Sequence, residues 1–405
     1  MPKKITFYCE AQIIAGAESY LSNLINHLDE SKYDVSIIFG TELTRDVFLK
    51  KFPCSLNSKN IYVLSKSVLS HSFTKIKEKN IFIFQVIRPF LSQAKIFIIS
   101  IKMMIQMTRF LKNKKIDIFH INNGGYPGGD GARISVLAGK LIGIKKILMT
   151  VHNLSIPLKK SYIIDKVIDK LVFKNTDSII CVSNAVKKSL EVDRNAPSEK
   201  LHVLYNGIPD YKLPKDESFY KEFYNLPKDK KLIGMVASFE ERKGHKYLIE
   251  AFRKLSETRN DVALVFVGDY LEGNGIEIVE LIKKYKLESN TYFCGFLNRP
   301  IEVIFCLEIL VLTSIEYESF GLVLVEAMSQ RKCIVATNVG GIPEVVVDGV
   351  NGFIVPPRDS ETLLKSIVTL MDNNDLRIKM GLNGRKRFEE KFNIIEMVNK
   401  LERFY

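Results

Sequence analysis

Short apolar runs recur along this chain in two series, and this repetition constrains the fold more than any other feature. The first series comprises Ile5–Cys9, Val35–Phe39, Ile116–Ile121, Lys146–Val151, Ser178–Val182 and Leu201–Tyr205. The second series comprises Lys231–Val236, Ala263–Val267, Thr291–Cys294, Ile309–Leu312, Cys333–Ala336 and Phe353–Val355. Helical stretches lie between several of these runs, which is typical of doubly wound α/β domains with parallel sheets.

A turn-rich segment between the two series indicates a domain boundary. Residues 206–214 contain a glycine, two prolines and an asparagine, as a linker would. We therefore predict a first Rossmann-like domain over residues 1–205, a second over residues 206–385, and a C-terminal helix over residues 386–405 that crosses back to the first domain. The carboxyl ends of both sheets would then face a central cleft.

The composition favours a cytosolic globular protein. The 405 residues suffice for two domains of about 200 residues each. The six cysteines are scattered, lie mostly in apolar runs and form no C-x-x-C pair, so they indicate reduced core thiols rather than disulfides or a zinc site. The N-terminal segment becomes polar too early for a signal peptide.

Positive charge is concentrated in the first half of the chain. Residues 1–200 carry 31 lysines and arginines against 16 acidic residues, whereas residues 201–405 carry 28 against 30. This asymmetry indicates an anionic partner, either nucleic acid or a membrane. Because no aromatic platform or nucleic-acid-reading helix is evident, we predict a membrane surface and no nucleic acid.

One basic stripe helps to specify the membrane-facing residues. The segment 81–112 is apolar, lacks acidic residues, and carries Arg88, Lys95, Lys102 and Arg109 at seven-residue intervals. Seven helical residues return to within about 20° of the same face, as in an interfacial helix on anionic lipid. An ordinary crossover helix with solvated cations is the alternative. A transmembrane span is disfavoured because each charge would cost roughly 3 kcal/mol in hydrocarbon.

Two carboxylates, Glu318 and Glu326, stand eight residues apart around a predicted helix start. The backbone N–H groups of Phe320, Gly321 and Leu322 would be unpaired at the positive end of this helix, which suits phosphate oxygens. The two glutamates could accept hydrogen bonds from ligand hydroxyls. On the loop alone, an acidic residue that merely stabilises the helix dipole is an equally good interpretation.

The run from Glu318 to Glu326 resembles the E-x7-E motif of retaining GT-B glycosyltransferases, specifically glycosyltransferase family 4 and its bacterial capsular and exopolysaccharide members. This resemblance implies the GT-B fold. The segment ending in Lys243-Gly244 resembles the family segment whose lysine neutralises the leaving diphosphate, although Ser238 stands where the family commonly has arginine. Arg242 would then supply a second positive charge.

Two segments of the first domain also resemble the family. Ile14–Glu18 is similar to the G-G-x-E loop: Ala15 replaces the first glycine, and Gly16 retains the second. His152, at the end of a predicted strand, matches an active-site histidine that reaches the donor sugar. A retaining mechanism requires no base at this position. Without the resemblance, a lone histidine after a strand would be interpreted as structural, as we expect for His120.

The resemblance implies the following site residues. The catalytic residues would be Glu318, Lys243 and His152. The donor-binding residues would be Gly16, Ser238, Arg242, Lys243, Gly295, Glu318, Ser319, Phe320, Gly321, Leu322 and Glu326. Gly295 enters because the turn after Cys294 matches the place where the family lays the nucleotide base, and the Gly-rich turn from Gly340 to Glu344 would line the same site.

The predicted function is transfer of a hexose or N-acetylhexosamine from a nucleoside diphosphate sugar, most plausibly a UDP-sugar, to a hydroxyl of a lipid-linked or growing surface glycan, with retention. The second domain would bind the donor, and the basic first domain would bind the acceptor on the inner face of the cell membrane. No cofactor or metal is expected, because the chain contains no D-x-D sequence. It also lacks a P-loop and a G-x-G-x-x-G sequence after the first strand, which argues against a kinase or dehydrogenase.

Two alternatives remain open at this point. A non-catalytic GT-B subunit could bind glycan or support a partner glycosyltransferase, and the departures at Ser238 and Ala15 fit that interpretation. A soluble glycosyltransferase acting on protein or on small metabolites would leave the basic stripe without a role at a lipid surface.

Overall fold

The chain forms two compact units. The computed structural model describes residues 1–10, 16–52, 54–56, 60–64, 100–158, 163–271 and 273–405. The first unit comprises Met1–Leu204 together with Val398–Tyr405, and the second comprises Tyr205–Met397. Each unit has its own parallel sheet and its own apolar core.

The sheet of the first unit contains seven parallel strands in the order β3-β2-β1-β4-β5-β6-β7. The strands are β1 (Lys3–Cys9), β2 (Tyr33–Phe39), β3 (Ile61–Val63), β4 (Ile118–Asn123), β5 (Lys146–Val151), β6 (Ser178–Cys181) and β7 (Leu201–Val203). The helices are α1 (Gly16–His27), α2 (Glu42–Lys51), α3 (residues 100–112 of the described chain), α4 (Asp130–Leu141), α5 (Ile163–Asn175) and α6 (Asn184–Arg194).

The sheet of the second unit contains six parallel strands in the order β10-β9-β8-β11-β12-β13. The strands are β8 (Lys231–Val236), β9 (Val262–Val267), β10 (Thr291–Phe293), β11 (Ile309–Leu312), β12 (Cys333–Thr337) and β13 (Phe353–Val355). The helices are α7 (Glu217–Phe223), α8 (His245–Ser256), α9 (Asn274–Lys284), α10 (Ile301–Phe305), α11 (Leu322–Ser329), α12 (Ile342–Val345), α13 (Ser360–Asp372) and α14 (Asn374–Lys391). A further helix, α15 (Ile394–Leu401), begins in the second unit and ends in the first.

Both sheets reverse their strand order at one point, and this reversal determines where a ligand crevice can form. The reversal lies between β1 and β4 in the first unit and between β8 and β11 in the second. In open α/β sheets, ligands bind outside the carboxyl ends of the strands at such a switch point, because the two adjacent loops lead to opposite faces. The loops that follow β8 and β11 are therefore the first place to look for a site.

The prediction of two doubly wound α/β domains is confirmed. Each predicted apolar run overlaps a strand, and inner strands such as β9 are buried at every residue, which explains their uninterrupted apolar composition. The short strand β3 was not predicted. It has three residues at the edge of the sheet and is only partly buried, so its sequence carries little apolar signal.

The single helix predicted over residues 386–405 is wrong. Helix α14 begins before that range and ends at Lys391, and α15 follows at Ile394. Phe392 breaks the helix because its side chain is fully buried and its carbonyl accepts a hydrogen bond from Ile208 N at 2.9 Å. The chain returns to the first unit only at Val398, and the first unit otherwise ends at residue 204.

The last residue of the chain is attached to the first unit by side-chain contacts. The Tyr405 hydroxyl lies 2.8 Å from His120 Nδ1, and His120 Nε2 lies 2.7 Å from Thr150 Oγ1. Lys3 Nζ donates to the Tyr405 carbonyl oxygen at 3.2 Å. Both ring nitrogens of the buried His120 therefore have partners, which supports a structural role for this histidine.

The predicted membrane stripe is only partly visible. Arg88 and Lys95 lie outside the described residues, whereas Lys102 and Arg109 are exposed on α3. The opposite face of α3 is buried through residues such as Met107. Among the described helices, none combines the length and apolar character needed to cross a bilayer.

Candidate functional site

The loop that follows β8 ends in a tight turn that places Lys243. Residues Glu241–Lys243 form one 3-10 turn, and Gly244 caps α8 with a φ of 70°. A Cβ atom at Gly244 would lie 2.2 Å from the Thr313 carbonyl oxygen. Glycine is required here for two reasons, because the backbone is left-handed and the loop after β11 packs directly against it.

The loops after β8 and β11 are joined by main-chain and side-chain hydrogen bonds. Ile315 N donates to the Arg242 carbonyl oxygen at 2.7 Å. The Thr313 hydroxyl oxygen lies 3.0 Å from the carbonyl oxygens of both Lys243 and Gly244, which share its single proton. The two loops beside the switch point therefore form one rigid edge of the second unit.

Lys243 and Glu318 meet at this edge. Lys243 Nζ lies 2.6 Å from Glu318 Oε2, and the Ser314 hydroxyl donates to the same carboxylate oxygen at 2.9 Å. Glu318 is only 9% exposed, so its charge is compensated by a cation and a hydroxyl rather than by bulk water. The structure thus brings two predicted catalytic residues together.

The turn after β12 holds the main chain of Glu318. Gly341 N donates to the Glu318 carbonyl oxygen at 2.9 Å. Gly340 has a φ of 54°, and a Cβ atom there would lie 1.8 Å from that oxygen. Three loops therefore fix the position of Glu318, which is what a precisely oriented carboxylate requires.

The amino end of α11 faces the same edge. Gly321 caps the helix with a φ of 85°, and Phe320 is buried. Within the described chain, the N–H groups of Phe320, Gly321 and Leu322 have no backbone acceptor outside the helix. The positive end of the helix dipole is therefore available to an anion beside Lys243. Ser319, the remaining predicted residue of this loop, is buried.

Glu326 lies in the second turn of α11, in a different environment from Glu318. Burial raises the pKa of the Glu326 carboxyl to about 7. Its carboxylate has no ion-pair partner within the described ranges. A half-buried carboxyl without a partner is suited to accept hydrogen bonds from a ligand.

Ser238 and Arg242 contact Glu240 in the same loop. The Ser238 hydroxyl donates to Glu240 Oε1 at 2.6 Å, and Arg242 Nε donates to Glu240 Oε2 at 2.6 Å. Arg242 also donates to the Tyr317 carbonyl oxygen at 3.4 Å. Ser238 therefore does not supply the positive charge of an arginine. Its hydroxyl instead orients the Glu240 carboxylate, which binds Arg242.

Gly295 lies at the carboxyl end of β10. Its φ is 65°, and its carbonyl oxygen accepts a hydrogen bond from Gly268 N at 2.8 Å. This bond ties the turn after β10 to the turn after β9, on the same edge of the sheet as Lys243. The adjacent Phe296 is 57% exposed.

His152 lies at the carboxyl end of β5 in the first unit, and its tautomer follows from its neighbours. Asn122 Nδ2 donates to the Ala17 carbonyl oxygen at 3.2 Å, so Asn122 Oδ1 accepts from His152 Nε2–H at 2.8 Å. The buried Nδ1 atom is then an acceptor, and among the described residues it has no hydrogen-bond partner. Burial and the neighbouring His120 lower the pKa of His152 to about 3, so the ring is neutral.

Gly16 is the first residue of α1, and residues 14 and 15 of its motif lie outside the described chain. Helix α1 is fixed to the β4 edge through the bond from Asn122 to Ala17. The predicted approach of Gly16 to a donor phosphate stays a prediction.

A second carboxylate at the switch point of the first unit was not predicted. Glu10 follows β1 and accepts a hydrogen bond from Tyr8 at 3.2 Å, and burial raises its pKa to about 6. Gly129 and Gly131 lie so close that a Cβ atom at either would overlap the Glu10 carboxylate. The glycine-rich run before α4 is the sequence signal that could have revealed this contact.

No group of three or more His, Cys, Asp or Glu side chains in the described part of the chain could hold a metal ion. The anion-binding features of the second unit are Lys243, Arg242 and the amino end of α11.

Comparisons with known proteins match both units. The family model "Glycosyltransferase Family 4" matches residues 14–211, and "Glycosyl transferases group 1" matches residues 216–387. The chain is 27% identical over 306 residues to N-acetyl-alpha-D-glucosaminyl L-malate synthase of Bacillus anthracis, covering 74% of this chain and 77% of that protein.

A second relative acts on a lipid-linked substrate according to its name. The chain is 23% identical to the UDP-Gal:alpha-D-GlcNAc-diphosphoundecaprenol alpha-1,3-galactosyltransferase of Escherichia coli, over 75% of this chain and 79% of that protein. Among solved structures, Anabaena Alr3699/HepE in complex with UDP aligns over 99% of this chain and 98% of that chain, with a TM-score of 0.74 and 18% identity.

We predict that Gly340→Ala destabilises the second unit more than Gly349→Ala does. Both glycines have a positive φ, but only at Gly340 would the new Cβ atom meet another residue, the Glu318 carbonyl oxygen. Strain alone costs about 1–2 kcal/mol, so we expect at least about 2 kcal/mol more for Gly340→Ala because the Glu318 loop must move. Urea unfolding followed by circular dichroism measures the free energy of unfolding of both variants. Equal decreases in the two variants would contradict the packing role of Gly340.

We also predict that Glu326 makes stability depend on pH. Because the carboxyl pKa rises from 4.5 to about 7 on folding, the folded protein binds this proton more tightly, and the free energy of unfolding falls as pH rises between these values. Between pH 5 and pH 8, the free energy of unfolding of Glu326→Gln should decrease by on the order of 2 kcal/mol less than that of the parent protein.

Unfolding of the Glu326→Gln variant is compared with that of Glu280→Gln, which alters an exposed glutamate on α9. The control should keep the pH dependence of the parent protein. A Glu326→Gln variant with the parent's pH dependence would show that the carboxyl is charged in the folded protein near neutral pH.

Proposed function

Since the chain belongs to glycosyltransferase family 4 and has the GT-B fold, we propose that it transfers a hexose or N-acetylhexosamine from a UDP-sugar, with retention, to a hydroxyl of a lipid-linked or growing surface glycan. The observation that carries this proposal is the contact between Lys243 and Glu318 at the switch point of the second sheet, beside the amino end of α11, whose first N–H groups have no backbone acceptor outside the helix in the described chain. A cation, a carboxylate and a helix amino end together match the charges and hydroxyls of a nucleotide sugar.

The donor would lie along the carboxyl edge of the second sheet. Lys243 and the N–H groups at the start of α11 would bind the diphosphate, and Arg242 would add a second cation. Glu318 would accept hydrogen bonds from the sugar, and Glu326 would accept them from the ribose. The nucleotide base would lie against the turn at Gly295.

The proposed reaction is the one that the resemblance to retaining members of the family implies, and the charges in this site are compatible with it. An acceptor hydroxyl attacks the anomeric carbon from the side on which the diphosphate leaves, so that the anomeric configuration is retained. The proton of the hydroxyl passes to a diphosphate oxygen, and no side chain is needed as base. Lys243 and the helix dipole stabilise the negative charge that develops on the leaving oxygen. The chain has no D-x-D sequence, and we propose that these groups act without a metal.

The role proposed for His152 is that of a hydrogen-bond acceptor toward the donor sugar. Its Nε2–H is committed to Asn122, and its neutral Nδ1 has no partner among the described residues. An acceptor atom that is buried and unpaired is suited to a sugar hydroxyl.

The comparisons support a UDP donor more directly than any one acceptor. The Anabaena structure contains UDP, and the Escherichia coli relative is named for a UDP-sugar. The two relatives differ in acceptor, since one is named for L-malate and the other for a diphosphoundecaprenol glycan. We favour the lipid-linked acceptor, and with it a peripheral position on the inner face of the cell membrane, because the first half of the chain is strongly basic.

Binding of UDP tests the donor site. UDP should raise the melting temperature of the parent protein by mass action, and Lys243→Ala should weaken UDP binding at least about tenfold, since one charge-assisted contact is lost. Lys379→Ala, on the exposed face of α14, is the matched control. Stabilisation by UDP that survives Lys243→Ala would contradict the site. A parallel screen with GDP, ADP and dTDP identifies a different base.

The anomer of the released sugar tests retention. An α-linked UDP-sugar, taken from UDP-glucose, UDP-galactose and UDP-N-acetylglucosamine, should release the α-anomer first when water replaces the acceptor, as followed by proton NMR. Initial release of the β-anomer would contradict retention. Glu318→Gln should still bind UDP, because the Ile315–Arg242 and Thr313 hydrogen bonds keep the two loops joined, but it should lose this hydrolysis. Absence of hydrolysis in the parent with every donor that binds would favour the non-catalytic alternative.

A further inference from the structure

We infer that the outer face of α5 docks the protein on the surface of an anionic lipid bilayer. This inference specifies the membrane contact of the proposed function and rests on that function for its partner, but it involves none of the donor-site residues. We call this surface the docking face, and it comprises Ile163, Lys166, Val167, Lys170, Leu171 and Lys174.

The docking face contains only two kinds of side chain. Ile163, Val167 and Leu171 recur every four residues and are 67%, 54% and 43% exposed. The three lysines also recur every four residues and are exposed. Residues spaced by four lie along one side of a helix, so an apolar stripe runs beside a basic stripe. This is the arrangement of helices that lie in the plane of an anionic membrane surface.

The acidic residues of α5 point away from this face. Asp169 is buried, where it accepts a hydrogen bond from Tyr126 at 2.9 Å and pairs with Arg194 at 2.6 Å. Asp165 pairs with Arg133 of α4 at 2.7 Å. Each carboxylate is thus paired with an arginine, and the charged residues of α5 that are exposed, rather than buried or half-buried, are all lysines.

Two surface helices of the second unit, α13 and α14, lack this combination. Helix α13 has the same length as α5, but its exposed residues include Glu361, Lys365 and Asp372. Helix α14 exposes Ile378 and Leu382 next to lysines, but it also exposes Asp375, Glu389 and Glu390. Isolated exposed apolar residues are ordinary on soluble proteins, whereas a repeated apolar stripe with uncompensated lysines is specific to α5 among these helices.

A groove beside the docking face is also basic. It has a volume of about 630 Å³, and Lys166, Lys170 and Lys174 contribute to its wall. The acidic residues in its wall are Asp169, which is ion-paired, and Glu199. A phospholipid headgroup fits this chemistry, because its phosphate can contact the lysines while the apolar stripe enters the acyl boundary.

Charge decides between a membrane and a second copy of the chain. A twofold contact between docking faces would bring six lysines together with no exposed carboxylate to compensate them. An anionic bilayer instead attracts each lysine by roughly 1 kcal/mol, which is about 100-fold in partition for three lysines.

Vesicle flotation of the full chain tests the inference. Vesicles of phosphatidylcholine with equal parts phosphatidylglycerol should carry the parent protein, and pure phosphatidylcholine vesicles should not. K166E/K170E/K174E should lower partition at least roughly 100-fold, and I163Q/V167Q/L171Q should lower it at least about tenfold through lost apolar burial.

Matched controls lie on the second unit. K379E/K386E/K391E changes the net charge by the same amount on exposed lysines of α14, and I378Q/L382Q/I395Q removes three apolar residues that are each about half exposed. Both controls should float like the parent. If either α5 variant floats like the parent, or if the α14 charge control loses as much binding as the α5 charge variant, the docking face is not the membrane contact.

UDP binding by the same variants separates this inference from the donor site. Loss of flotation with a parent-like UDP thermal shift supports the docking face. If flotation depends on α5 but no nucleotide stabilises the protein, the docking face is supported and the proposed donor site is contradicted. If the α5 variants float like the parent and also bind UDP, the docking face is rejected and the proposed donor site is kept. Circular dichroism and melting of each variant establish that it is folded.

Discussion

The ion pair between Lys243 and Glu318 is the contact on which the donor edge of the second unit depends. Strand order leads the loops after β8 and β11 toward opposite faces of the sheet, and the pair joins them together with the hydrogen bonds of Ile315 and Thr313. A nearly buried carboxylate is stable only with a cation and a hydrogen-bond donor, and Ser314 supplies the donor. Neither loop could hold this geometry alone. Gly244 and Gly340 belong to the same arrangement, since each lets a neighbouring turn approach the loop after β11 closely.

The architecture and the E-x7-E loop could be predicted because both rest on local signals. Buried parallel strands need continuous apolar runs, and a helix start needs a glycine and a change of period. What could not be predicted depends on distant contacts. The break between α14 and α15 at Phe392 is made by Ile208, far away in sequence. The contact of Glu10 with the amino end of α4 likewise needs the β1–β4 pairing, which no local pattern specifies.

The charge of the first unit shows how a fold can change the meaning of a sequence pattern. Along α5 the sequence alternates acids and lysines, which on an isolated helix would indicate a mixed, solvated surface. Packing against α4 and α6 draws both acids inward to Arg133 and Arg194. The excess of lysine over the first 200 residues therefore becomes a directed surface only after folding. The seven-residue periodicity of the strongly basic segment 81–112 is visible in the sequence. The docking face of α5 can be recognised only once the ion pairs of its two aspartates are known.

Folding also gives Glu318 and Glu326 different surroundings that their sequence pattern does not show. The sequence presents them as a symmetric pair around one helix start, yet their environments differ. Glu318 has Lys243 and Ser314 within hydrogen-bond distance. Glu326 has burial without a compensating charge, which raises its pKa to about 7. A carboxylate already held by a cation is oriented before any ligand arrives, whereas one near half-protonation gains its charge fully only when hydrogen-bond donors reach it. The spacing of the two residues therefore fixes where a ligand can be bound, and their partners determine how each end of it is bound.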